Sequence, residues 1–382
     1  MSATLTPRRP GQRPRSGLPG RALLLAACAA ALVVPASAGA RSPATLARSR
    51  FLMGTSLTIE AVLPAPEQAF EAAFDEVARL EDVMSNWRDG SEIARLNRTA
   101  ARAPFRCSRD LLAGVEAAIG WAEATQGAFD PTVEPLVRRF RLRGPEGRLP
   151  GVTTAGEGDD GPGPEGAPGD EPPVGWGHVR LDRATSTVSF DAPGVGIDFG
   201  GIGKGIALDA AARVLADRGV RAALLDFGGQ VLAMGPAPDG EGWRIGIADP
   251  ADRERVEAAV RVRDASVATS GNGERARRTS AGPVGHILDP ALRKPARFTG
   301  SLTVLAPNAT SADALSTALF VMGPVRGARW AEERGLAALY LWQGADGTLH
   351  RRATPPFEVL ARGERRGGGA GRGSAVPQRG RP

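Results

Sequence analysis

Lys204 is one of only two lysines among the 48 basic side chains of this 382-residue chain; the other is Lys294. It lies in DFGGIGKGIALD, residues 198–209, where a glycine-rich turn, one ammonium and two carboxylates are packed together. Glycines let a backbone turn tightly and approach a ligand closely. The start of a helix favours an anion, and a lysine there adds charge, so phosphate binding is the chemistry such a stretch could do. Neither common nucleotide loop fits it. A P-loop needs Ser or Thr after the lysine and a glycine where the chain has Asp198, but Gly205 follows Lys204. A dinucleotide fingerprint needs glycine at 206 or 208, and the chain has Ile206 and Leu208. By itself the stretch is equally compatible with a tight strand-to-helix turn bearing a solvated lysine.

The elements around it are mixed. FLMGTSLTIEAVL (51–63) is β-branched and apolar and predicts a strand. APEQAFEAAFDEVARLEDVMSNW (65–87) has helical periodicity. SRDLLAGVEAAIGWAEATQG (108–127) predicts a helix capped by Ser108 and stopped by Gly127. Two strands follow in 178–200, the second ending at Asp198, and then a helix from about Gly205 to Arg218 whose first N–H groups would be free. RAALLDFGG, GWRIGIADP, VRVRDASVATSG and GSLTVLAP predict strands, SADALSTALFVMG a helix, and GLAALYLW a last strand. The absence of regular βαβ repeats favours an α+β fold over a doubly wound sheet.

The ends differ in character from the body. Residues 1–40 hold five arginines and no acid, and 362–382 hold six arginines and one glutamate. Of a net charge of +6, each end carries +5, so the body is mildly acidic and a nucleic-acid role is not expected. The first 40 residues read as a secretory signal, with a basic start, the apolar run Ala22–Val34 and small residues at Ala36–Ala40. LAAC, ending at Cys28, resembles a lipobox, which would anchor the protein by a lipid. With Cys28 in the leader, Cys107 has no disulfide partner within one mature chain. The Gly, Pro and acid-rich segment 144–177 is expected to be a disordered insertion, and the Arg/Gly-rich 363–382 a disordered tail.

MGTSLTIE, GAFDPTVEPLV, DFGGIGKGIALD, LLDFGG, VATSGNGER, GHILDP and ADALSTALFVMG occur in an order that resembles the FAD:protein FMN transferases of the ApbE type, over roughly residues 50–345. The resemblance implies an α+β fold of mixed and antiparallel sheets with packed helices, in two intimately associated subdomains, over a catalytic domain at 41–362. It implies a magnesium-dependent, exported enzyme of the periplasm or cell envelope. Such an enzyme moves FMN from FAD to a threonine or serine hydroxyl of an acceptor flavoprotein and releases AMP. The acceptor would be an FMN-carrying subunit of a membrane electron-transport complex or an exported FMN-binding domain. By the same resemblance Asp198 and Lys204 face FAD, and Gly201 offers its carbonyl to the metal with Asp313 and Thr317, Ser316 lying nearby. Met53 contacts the flavin, Trp87 stands where the family has a flavin-facing tyrosine, Ala128, Phe129 and Asp130 contact the nucleotide, and His286 and Ile287 fall in HI-x-DP.

The residue types suit that chemistry. Asp313 and Thr317 are i and i+4 on one helix face. Magnesium takes about six oxygens and shares them with phosphates. His286 is the only histidine inside a motif, and an imidazole can take the proton of an incoming hydroxyl near neutral pH. The chain departs from the family at DPALRKP, where Thr-Gly is usual after DP, and at Gln230, where Asp or Asn is common. Those departures keep two alternatives in view: a protein that holds FAD without transferring it, and an FAD pyrophosphatase.

Overall fold

The computed structural model describes residues 43–140, 142, 171–271, 277–279 and 282–367. The expected leader, most of the expected insertion and the tail beyond Gly367 lie outside the described residues. Those from Ser42 on belong to one compact unit.

Its centre is an antiparallel sheet of eight strands: β1 (Thr45–Leu52), β2 (Thr55–Val62), β3 (Ala223–Phe227), β4 (Gln230–Met234), β5 (Ala265–Gly271), β6 (Ser301–Ala306), β7 (Ala337–Gln343) and β8 (Leu349–Ala353), adjacent in that order. Both faces of the middle strands are buried, which is why LLDF, SLTVLA and AALYL read as continuous apolar runs. Along β6, Leu302 and Val304 face one cluster with Phe320 and Tyr340, whereas Leu305 faces another with Trp243, Ile247 and Phe357.

Among the described residues seven α-helices surround the sheet: α1 (Glu67–Met84), α2 (Glu92–Thr99), α3 (Arg109–Ala124), α4 (Glu134–Arg139), α5 (Gly203–Asp217), α6 (Ala309–Glu332) and α7 (Pro355–Gly367). α1 packs Phe70, Phe74 and Val77 with Leu57 and Ile59 of β2 and Leu208 and Leu215 of α5. α6 packs Leu315, Leu319 and Phe320 onto β6 and β7. The hairpin of strands Trp243–Ala248 and Val256–Val262 covers the opposite face with α7. The α+β class, with helices packed on antiparallel sheets, is therefore what the chain adopts.

Several elements differ from the sequence reading, each for a local reason. The single strand expected at 51–63 is a hairpin, β1–β2, turning at Met53 (φ 46°) and Gly54 (φ 75°). Such two-residue turns want positive φ at both positions, and methionine gives no sign of it. VRVRDASVATSG is likewise two strands broken at Asp264, whose φ is 51°. The stretch ending at Asp198 is extended but is no strand. Asn97 replaces a neighbouring strand: its Nδ2 donates to the Ile197 carbonyl and its Oδ1 accepts from the Ile197 N–H, both at 2.8 Å. GLAALYLW is not the last strand, since β8 and α7 follow. SADALSTALFVMG ends at Gly323 as expected, where the φ of 73° interrupts α6, and the helix resumes at Pro324.

α5 and α6 lie closest where Gly205 meets Ala309: a Cβ on Gly205 would stand 2.3 Å from the Ala309 carbonyl oxygen. Each helix caps the other there. Asp313 of α6 accepts the Gly205 N–H at 3.0 Å. Asp209 of α5 accepts from the N–H of Ala309 (2.8 Å), the N–H of Thr310 (2.9 Å) and the Thr310 hydroxyl (2.6 Å). Removing a capping side chain costs about 1–2 kcal/mol. Asp209→Ala should therefore lose about that much stability in urea unfolding, and Asp209→Asn less. An unchanged unfolding midpoint for Asp209→Ala would show that the cap is unimportant.

Candidate active site

A cavity of about 490 Å³ opens where β4 and β5 part. Their ladder ends at Val231–Val267, and the next residues of each strand, Gln230 and Ala268, line the cavity with Thr269, Ser270 and Gly271. That volume lies within the range of ligand pockets. Every residue singled out in the sequence except Ser316 lines it: Met53, Trp87, Ala128, Phe129, Asp130, Asp198, Gly201, Lys204, His286, Ile287, Asp313 and Thr317.

Part of the lining is polar. Lys204 Nζ donates to Asp313 Oδ1 at 3.0 Å, and Gly205 N–H to Oδ2. The Asp313 side chain is only 5% exposed, so its charge is held by this pair and the helix end rather than by water. The first N–H groups of α5 are therefore not all free, as the sequence suggested. Gly203 N–H bonds the Phe199 carbonyl at 2.7 Å, and Gly205 N–H bonds Asp313. The anion-binding capacity of this helix start rests mainly on Lys204. Asp198 shapes the loop from within: its Oδ1 accepts the Gly200 N–H at 2.6 Å, and its own N–H donates to the Pro131 carbonyl.

Gly201 is closely packed: a Cβ there would lie 2.9 Å from Thr317 Oγ1 and 3.1 Å from the Phe129 ring. Thus the loop, α6 and the 128–130 segment meet at one point. Ser316 does not line the cavity: its hydroxyl donates to the Asp313 carbonyl and shares a hydrogen bond with Ser270, both at 2.8 Å. It braces the helix turn that carries Asp313.

The lining also holds Phe51, Met53 and a 37%-exposed Trp87, with Glu81 and Arg88 alongside. Met53 holds its positive φ here, a strained conformation that packing imposes. Asp130 lines the wall but is heavily engaged. Its Oδ1 accepts from Thr132 N–H (2.8 Å) and Thr132 hydroxyl (2.6 Å), and its Oδ2 from Trp176 N–H (3.0 Å). Burial pushes its carboxyl above the ordinary aspartate value, and those hydrogen bonds pull it partly back. Through it, residues 175–176, inside the segment expected to be an insertion, are tied to the cavity wall. His286 is half-buried and lines the cavity beside buried Ile287 and Leu288.

Could these residues hold a divalent cation? Among the described residues no group of three His, Cys, Asp or Glu side chains could. A metal here would need one carboxylate supplemented by hydroxyl and carbonyl oxygens. Asp313, Thr317 and Gly201 are such a set, and they suit a hard ion such as magnesium that shares its shell with phosphates.

A sequence model of the ApbE family matches residues 53–340. The chain belongs to the ApbE family. The FAD:protein FMN transferase of Klebsiella pneumoniae is 28% identical over 358 residues, 92% of this chain and 98% of that protein. The FAD:protein FMN transferase of Vibrio cholerae is 31% identical over 307 residues, 77% of this chain and 86% of that one. The structure of the flavin transferase ApbE from Vibrio cholerae superposes with a TM-score of 0.69 at 29% identity, over 83% of this chain and 99% of that chain. The ApbE protein of Thermotoga maritima gives 0.70 at 27%, with the same coverage.

The sequence reading gave no site role to four side chains that build this ApbE-family site. Asn86 and Asn97 both donate to the Ile197 carbonyl at 2.8 Å and hold the approach to the glycine loop. Asp209 caps α6, and Gln230 touches its first carbonyl. Asp209 closes the quoted loop motif, and that position was its one signal; the asparagines carried none.

Gly201→Ala should leave the fold intact, since the neighbouring Thr317 and Phe129 side chains can give by a few tenths of an ångström. It should weaken magnesium binding several-fold by displacing the Thr317 hydroxyl. Isothermal titration with magnesium and FAD checks this, and unchanged affinity would remove Thr317 and Gly201 from the metal assignment.

Proposed function

We propose that this chain is an FAD:protein FMN transferase that moves FMN from FAD onto a threonine or serine hydroxyl of an acceptor protein, with magnesium, releasing AMP. The observation that carries the reading is the Lys204–Asp313 pair in a cavity that Met53 and Trp87 also line. A dinucleotide with a charged centre and an aromatic terminus matches that combination.

In the ligand-free chain Lys204 and Asp313 neutralise each other. A pyrophosphate competes for the ammonium and a cation for the carboxylate, so the two should bind cooperatively. Magnesium, held by Asp313, Thr317 and the Gly201 carbonyl, would neutralise charge on the pyrophosphate as AMP departs. The chain's own work is positioning: Lys204 binds the phosphates, Met53 and Trp87 shelter the flavin, and Asp130 fixes the wall. Transfer of this kind needs placement and charge more than a covalent enzyme intermediate. The new bond joins the acceptor oxygen to the FMN phosphorus, the bond from that phosphorus to AMP breaks, and His286 receives the hydroxyl proton. The acceptor would be a flavin-carrying subunit of a membrane electron-transport complex or an exported FMN-binding domain, and residues 1–40 support a place in the cell envelope.

The test is to incubate the protein with FAD, magnesium and such an acceptor and follow intact mass. An acceptor heavier by one FMN, with AMP released, is the expected result. Bound FAD with an unmodified acceptor would instead mean a carrier, and free FMN plus AMP a pyrophosphatase. Asp313→Ala should abolish transfer, because it removes the only carboxylate of the proposed metal set; wild-type rates at limiting magnesium would sink that role.

His286→Asn should slow single-turnover transfer by about 10²–10⁴-fold while leaving the FAD dissociation constant nearly unchanged. Weakened FAD binding with a normal rate at saturation would make His286 a binding residue and place the base elsewhere.

A further inference from the structure

Gln230 is the first residue of β4, directly after the Gly228–Gly229 turn, and it is 3% exposed. Its Nε2 donates to the Ala309 carbonyl at 2.7 Å. Its Oε1 is shut off from solvent and has no partner among the described residues. A buried acceptor left without a donor is costly, and such groups in native proteins usually await a water or a ligand. The residue lines the cavity, so its side chain adjoins any ligand held there.

Its position narrows the kind of ligand group. The Ala309 carbonyl that it holds is the one pressed against Gly205, the residue after Lys204. Gln230 therefore lies beside the part of the lining formed by Lys204 and Asp313. An amide oxygen repels phosphate oxygens and accepts only from O–H or N–H. On FAD, the N–H donors sit on the two ring systems, and the donors beside the pyrophosphate are hydroxyls of the ribityl chain and the ribose. Resting on the transferase reading of this cavity, we infer that Gln230 is a substrate-binding residue whose side-chain oxygen accepts a hydrogen bond from a sugar or sugar-alcohol hydroxyl flanking the FAD pyrophosphate. The same amide holds the first carbonyl of α6, so the contact ties the substrate to the helix that carries Asp313 one turn later. This gives a function to the glutamine that stands where Asp or Asn is common in the family.

The test compares the full chain with Gln230→Met, measuring FAD affinity by flavin fluorescence and ligand-free stability by urea unfolding. FAD should bind about tenfold more weakly, the effect of one lost hydrogen bond. Ligand-free stability should change little, because the variant loses one bond but also removes an unpaired acceptor. ADP and FMN identify the hydroxyl: a loss seen with ADP assigns the ribose, and one seen with FMN the ribityl chain. Equal FAD affinity for both proteins overturns the inference, whatever happens to stability, since a role confined to bracing Ala309 would move stability alone. Failure of the wild type to bind FAD sinks the transferase reading and this contact with it. Should Gln230→Met not fold, the wild type reads the same contact with FAD analogues lacking single ribityl or ribose hydroxyls. One analogue should bind about tenfold more weakly, and uniform affinity across the series overturns the proposal.

Discussion

The site depends on two helices that cap each other with carboxylates. Asp313 closes the start of α5 and Asp209 closes the start of α6, across a contact that only glycine at 205 permits. Helix starts carry partial positive charge and unsatisfied N–H groups, and two buried starts side by side would repel. Carboxylates from the opposite helix answer both problems. The arrangement also fixes geometry: neither helix can slide along the other without breaking a cap. Asp313, Lys204, Thr317 and Gly201 keep their spacing because the caps hold the axes. The carboxylate proposed to meet a metal is thus already part of the helix joint, and substrate binding would exchange partners around it rather than build a new site.

The sheet supplies the space. An eight-stranded antiparallel sheet whose middle strands are buried on both faces has no room for a ligand within their ladders. The cavity forms because β4 and β5 stop pairing at Val231–Val267, while β5 continues against β6 as far as Gly271. The gap exposes Thr269, Ser270 and Gln230 to the cavity, and Ser270 reaches Ser316 to brace the α6 turn behind Asp313. Function here sits where regular pairing ends, as it commonly does at sheet edges and bulges.

What the sequence displayed was whatever depends on residue type in a short window. The caps at Ser108 and Gly127, the apolar strands and the helix bearing Asp313 and Thr317 all have local signatures. The loop motif announced Lys204 and Asp198 in the same way. What stayed hidden depends on partners far along the chain. Asn97 holds Ile197 from 100 residues away, and Asp209 caps Ala309 from the same separation. Neither has a pattern in its own window. The Met53–Gly54 turn was hidden for a different reason: methionine disfavours positive φ, so only the surrounding packing could put it there. The misread start of α5 has the same origin, because the partner that fills Gly205 N–H lies on another helix.

That joint also explains why a chain so rich in arginine places lysine at 204. The Asp313 carboxylate has two oxygens, and the structure divides them: Oδ1 goes to the side chain at 204 and Oδ2 to the backbone of 205. Arginine presents a planar fork suited to taking both carboxylate oxygens at once. It would displace the Gly205 N–H, leave the first turn of α5 uncapped and loosen the contact at Ala309. A lysine ammonium is a compact point charge and can be satisfied by one oxygen. It has further N–H donors to turn toward a phosphate without releasing the cap. The selection at this position is therefore for a cation that claims only half of its partner.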